Sequence, residues 1–228
     1  FCRSMLIARD HNKGRQRYDI AAAWRTRKCS YLLVDQNLTH MKKYAIGALV
    51  GATILFIWQG LSWMLLGIHD SAMKYHPAQE QIMQVLSTTT KEDGLYMMPS
   101  AATKEEQKEM MKTMEGKPWA SVIYHASHET QTARRMIRAF LVDLFLVVAL
   151  IYILTRGGTP IFRRAVSASV ALGLMLFLWS PYMGHIWFDL PWHMIQGDLI
   201  DSVVAWGLVG LWLGWWLNRR LSPPAVAG

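Results

Sequence analysis

Cysteine is nearly absent. Cys2 and Cys29 are the only two, and both precede Met41. From Met41 onward the chain has no thiol, which excludes disulfides, thiolate metal sites and cysteine redox chemistry from that part. Charged residues are also scarce, at 18% of 228. No glycine-rich phosphate loop, nucleophile elbow or kinase signature occurs, so no familiar catalytic apparatus is announced. Glu92-Asp93 and Glu105-Glu106 have the look of solvated faces rather than acid pairs. No internal repeat is visible.

Hydrophobic residues make up 52% of the chain, with 11 Trp and 14 Met. They are concentrated in four blocks, at residues 44–66, 137–154, 165–187 and 199–217. Each approaches the length that crosses a hydrocarbon core of ~30 Å. The expected fold is therefore an all-α membrane protein, a four-helix transmembrane bundle. A small α/β extracytoplasmic insertion separates helices 1 and 2. Residues 41–66 form the first helix, 67–136 the cap, 137–220 the remaining three helices and 221–228 a tail. The first block is longer than a signal-peptide core, and no small-x-small cleavage site follows it.

The net charge of +8 does not indicate nucleic acid, because of where it lies. Residues 1–40 carry eight Lys/Arg against three acids, and many of the other basic residues flank the apolar blocks. Residues 1–40 show no sustained period, and Met41-Lys42-Lys43 leads directly into the first block. They are expected to be upstream read-through, an expression remnant or a disordered arm. The competing reading is a basic arm touching anionic lipid.

Basic residues set the direction. Lys42 and Lys43 precede the first block, Arg156, Arg163 and Arg164 lie between the second and third, and Arg219 and Arg220 follow the fourth. The short loop at 188–193 has none. The positive-inside rule then places both termini in the cytoplasm. Arg134, Arg135 and Arg138, on the opposite side, run against this pattern. Small residues four apart occur at Gly47/Gly51, Ala165/Ser169/Gly173 and Gly210/Gly214. They suit close helix packing, either within a bundle or in a homo-oligomer.

In the cap, Pro77 followed by 78–86 predicts a helix with Pro in its first turn. Thr103-Lys104-Glu105-Glu106 predicts a capped helix to Glu115, with Gly116 as its stop. Residues 94–99 and 119–124 predict strands that pair across that helix.

Two constellations could carry chemistry. Gln59, Asp143, His185 and Asp201 each stand toward the outer end of a different span and could form a polar pocket, with Ser180-Pro181 kinking the third span. Alternatively, Asp143 and its neighbours only hold helices together. In the cap, His125, His128 and Glu129 could hold copper or zinc, but surface and interfacial histidines are the preferred reading, because the sequence assigns no third ligand. Met97-Met98 and Met110, Met111 and Met114 could bind Cu(I), or could simply pack.

From Met41 to Arg220 the chain resembles a group of small uncharacterised bacterial four-helix inner-membrane proteins. The resemblance is carried by Met41-Lys42-Lys43, the stretch from Phe56 to Trp63, Met114-Glu115-Gly116-Lys117-Pro118-Trp119-Ala120, and the closing run from Gly210 to Leu217. It implies a bacterial inner membrane and no activity. The expected protein is non-enzymatic, embedded in lipid, with an outward cap for packing, sensing or partner binding. The alternative is a small transporter or copper/zinc handler.

Overall fold

The computed structural model describes the backbone of residues 20–219 and the side chains of residues 38–219. The chain divides into two compact units, one of residues 1–72 with 136–228, the other of residues 73–135. Among the described residues four helical segments are long and apolar enough to cross a membrane: Leu38–Met64, Thr132–Thr155, Phe162–Phe188 and Trp192–Asn218. The protein is a polytopic membrane protein, mostly helical, with a small two-stranded α/β insertion.

Helix α1, Ile20–Met64, contains the first span. It starts well before the apolar block, so residues 20–40 are helical although their sequence shows no period. Residues 1–19 lie outside the described residues. Helix α4, Thr132–Thr155, buries Asp143, Val147, Leu150, Ile151 and Leu154. These recur every three or four positions and so form one stripe, leaving the rest of the helix to lipid. The third span is two helices, α5 (Phe162–Trp179) and α6 (Pro181–Phe188). Proline lacks an N–H, and the expected kink at Ser180-Pro181 is a break between them. Helix α7, Trp192–Asn218, begins seven residues before the apolar block at 199 and buries Ala205, Val209, Leu213 and Leu217 among others.

Glycine explains how closely these helices approach. In α5, a Cβ on Gly173 would collide with the Ser202 carbonyl oxygen of α7 and meet Trp206 at 2.6 Å. On α7, a Cβ on Gly210 would meet Ser169 and the Val166 backbone at 2.9 Å. In α1, Gly51 faces Val147 of α4 and Gly47 faces Trp216 of α7. All three small-residue stripes are therefore occupied by packing within the one chain. Between them lies an apolar core that includes Ala48, Leu55, Val147, Val209 and Leu213.

One end of this unit is closed by tryptophan and lysine. The indole N–H groups of Trp212 and Trp216 donate to the carbonyls of Gly47 (3.0 Å) and Lys43 (2.8 Å). Lys43 Nζ donates to the Leu217 (2.8 Å) and Arg219 (2.6 Å) carbonyls, where the last turn of α7 leaves acceptors free. Asn218 Nδ2 reaches the Pro160 carbonyl (2.9 Å). These contacts bring the three basic clusters to the same end of the bundle.

The second unit contains helix α2 (Gln79–Thr89), strand β1 (Gly94–Met98), helix α3 (Lys104–Lys112) and strand β2 (Ala120–Tyr124). The strands pair antiparallel, Gly94 opposite Tyr124 and Met98 opposite Ala120. Thr103 Oγ1 accepts from the Glu106 N–H at 3.2 Å and caps α3. That helix stops at Lys112, three residues short of the expected Glu115, and Gly116 takes a left-handed turn (φ 76°) beyond it. Helix α2 starts two residues after Pro77, and the Ala78 N–H, which has no partner within the helix, donates to His76 Nδ1 (3.1 Å).

Candidate functional site

The last turns of α1 present two faces to the rest of the bundle. Trp58 and Ser62, four apart, share one face, and Gln59 lies on the next. Asp201 of α7 stands opposite the first. Its Oδ1 accepts from Ser62 Oγ at 2.6 Å and from the Trp58 indole N–H at 2.9 Å. Its Oδ2 lies 3.0 Å from His69 Nε2.

His69 comes from the connection that follows α1. Gly67 adopts a left-handed conformation (φ 61°) that turns the chain back, and a Cβ there would meet Asp70 at 2.7 Å. The imidazole stacks on Trp63, centroids 4.0 Å apart and planes 5° off parallel. On the α7 side it lies against Gly197, where a Cβ would meet the ring at 2.7 Å. His69 is 3% exposed and Ser62 wholly buried. The loop is tied down again at Ser71, whose Oγ donates to the His193 carbonyl (3.1 Å) and accepts from Gln196 Nε2 (3.0 Å). Asp198 is within electrostatic reach of both His69 and Asp201.

The order of these groups decides their chemistry. In a nucleophilic triad the histidine stands between serine and carboxylate and takes the serine proton. Here the carboxylate stands in the middle. Ser62 donates to Asp201 and is not activated by it in the sense of a hydrolase. The arrangement holds a loop and two helices together.

A second polar contact joins α1 to α4. Gln59 Nε2 donates to Asp143 Oδ1 at 3.0 Å. Asp143 is 4% exposed, and its Oδ2 is buried with no hydrogen-bond partner among the described residues. Of the four groups expected to share a pocket, Gln59 and Asp143 are bonded to each other. Asp201 has Trp58, Ser62 and His69 as partners. His185, in the last turn of α6, is bonded through Nδ1 to the Leu190 carbonyl of the connection that follows, at 2.5 Å, with Tyr182 and Trp192 as ring neighbours.

In the cap, His125, His128 and Glu129 line one depression of about 520 Å³ with Asp93 and Arg135. His125 Nδ1 is bonded to Asp93 Oδ2 (3.0 Å), and Glu129 is bonded to Gln131. Asp93 also accepts from the Ala126 N–H at 2.9 Å. That backbone donor, and then His125, hold its carboxyl below the usual carboxylate value. Among the described residues no group of three His, Cys, Asp or Glu side chains is arranged to hold a metal.

The sequence signals for Gln59, Asp143 and Asp201 were their polarity inside apolar runs. His69, Trp58 and Ser62 were missed as partners of Asp201. An indole near the end of a span, such as Trp58 or Trp63, reads first as an interfacial anchor, and His69 lies in a loop whose spacing shows no partner. The spacing of Trp58 and Ser62 on one face was the available signal. Comparison with known proteins finds no matching family model, no matching curated protein and no matching solved structure.

Proposed function

We propose that this chain is a non-enzymatic protein of the bacterial inner membrane, with both termini in the cytoplasm. Its insertion acts on the other side, in packing, sensing or partner binding. The observation that carries this reading is the use of Asp201. Both of its oxygens are filled by donors from the same chain, so this conspicuous carboxylate stabilises the bundle rather than awaiting a substrate. The basic residues that flank the apolar blocks support the orientation. A homo-oligomer would need faces other than the small-residue stripes, which the bundle already occupies.

One observation favours the second reading, a small transporter or copper/zinc handler. The unpartnered Oδ2 of Asp143 is the kind of group that lines an ion path. The two readings separate on purified protein in mild detergent and in vesicles. The first expects no stoichiometric copper or zinc, no proton or metal flux, and co-purifying or cap-dependent crosslinked material. Stoichiometric metal lost on substituting His125 and His128, or flux lost in Asp143→Asn, would overturn it.

A further inference from the structure

The β1–β2 sheet of the cap has an unusual outer face. In an antiparallel sheet with one side packed, alternate residues on the other side are normally polar. Here the packed side carries Tyr96, Val122 and Tyr124, half-buried or buried. The open side carries Leu95 and Ile123, directly paired and 60% and 73% exposed, with Met97 beside them. Ile123 and Met83 continue into the depression that Arg135, His125 and His128 line. An apolar sheet face thus runs into a polar, partly cationic hollow.

The charges there are unequally engaged. Of the two acids in the hollow, Asp93 is bonded to His125 and the Ala126 N–H, and Glu129 to Gln131. Among the described residues Arg135 donates to the Glu129 backbone carbonyl, at 3.3 Å, and Arg134 to the Gln131 side chain. Arg134, Arg135 and Arg138 are exposed, share one face at the start of α4, and have no carboxylate partner among the described residues. Helix α4 is itself a candidate span, so these guanidinium groups stand where a helix enters a bilayer.

We propose that this surface of the cap docks on the phospholipid headgroup layer of the protein's own membrane. The arginines bind lipid phosphate, and Leu95, Met97 and Ile123 enter the interface. The planar guanidinium matches a phosphate, whose negative charge supplies the partner the chain itself does not. The chain enters a candidate span at each end of the cap, so lipid is always within reach. This rests on the functional reading above and gives the cap a lipid partner. It also accounts for the three arginines that oppose the charge asymmetry.

The test uses the full chain in nanodiscs of phosphatidylethanolamine and phosphatidylglycerol. With Cys2→Ser and Cys29→Ser as background, nitroxide labels are placed at Leu95→Cys, Ile123→Cys and, as a control, Lys108→Cys on exposed α3. The expected oxygen-to-nickel accessibility ratio is several-fold higher at 95 and 123 than at 108. Replacing Arg134, Arg135 and Arg138 by Gln should return both labels toward the control value. Water-like ratios at all three positions would overturn the proposal. So would labels at 95 and 123 shielded from oxygen and nickel alike, which would indicate a protein partner or a second copy. Lipid-like ratios unaffected by the triple substitution would overturn the arginine assignment. Depth is measured relative to the nearest leaflet, so the result is independent of orientation, flux or bound metal.

Discussion

Asp201 and Asp143 are two carboxylates in membrane-spanning helices with opposite circumstances. Asp201 receives three donors, and removing it leaves the Trp58, Ser62 and His69 donors without an acceptor. Each stranded buried donor costs about 1–3 kcal/mol in water-soluble proteins, and interhelical bonds in membranes average nearer 0.6 kcal/mol. Asp201→Leu should therefore lower stability by roughly 2–4 kcal/mol on the same scale. Asp201→Asn, which keeps one acceptor oxygen, should lose less. Thermal unfolding in detergent measures both, and equal losses would deny the carboxylate its three-donor role. Asp143 has one partner and one unsatisfied oxygen. Replacing both members of such a pair by apolar residues is often neutral or stabilising. The double substitution Gln59→Leu/Asp143→Leu should match or exceed the parent in the same assay. A large loss would mean that Asp143 has a further partner. In the cap, the carboxyl of Asp93 is held below its ordinary value, near 3.8. A depressed carboxylate contributes above its unfolded value, and the contribution is lost as pH falls through the folded one. The tie between Asp93 and residues 125–126 should therefore be intact at neutral pH and fail only in stronger acid. The Ala126 amide proton shift should titrate with a midpoint below the ordinary carboxylate range and stop titrating in Asp93→Asn.

At the scale of elements, helix contacts are governed by where a methyl group fits. Gly173 has the Ser202 carbonyl and Trp206 in the space a Cβ would take, and both are parts of α7 that have little room to move. Gly60, also in a span, has nothing within 4 Å. Gly173→Ala should separate α5 from α7 and cost about 1–3 kcal/mol, the usual range for overpacking. Gly60→Ala should be neutral or gain up to about 1 kcal/mol from helix propensity. Comparable effects at the two sites would contradict the packing described. These elements were legible to different degrees. The stripes Ala165/Ser169/Gly173 and Gly210/Gly214 were visible as spacing, but whether they met each other or a second copy depends on tertiary placement. Strands β1 and β2 were legible because turn residues bound them. The end of α3 was not, since Lys112, Thr113 and Met114 continue a helical pattern and only Gly116 breaks it. The start of α7 was hidden because His193, Gln196, Gly197 and Asp198 lower the hydropathy of a turn that is helical nonetheless. The His69 contacts were hidden for a similar reason. A loop residue's partner follows from the turn at Gly67 and the gap at Gly197, neither of which shows in spacing.

For the whole molecule, the four apolar blocks were legible because a bilayer demands length and apolarity in each span, and both are written in composition. The proposed direction of insertion rests on the charge asymmetry of short loops. Lys43, Arg219 and the connection from Arg156 to the first turn of α5, which bears Arg163 and Arg164, meet at one end of the bundle through the Lys43, Asn218 and Trp216 hydrogen bonds. Four candidate spans, an even number of crossings, would return the chain to the side from which the first span begins. The most direct measurement is a pair of fusions to a reporter active only outside the cytoplasm, one within residues 100–115 and one after Arg220. The account predicts activity at the first and silence at the second. The reverse pattern would contradict the orientation, and activity or silence at both would contradict the placement of cap and C-terminus on opposite sides of the membrane.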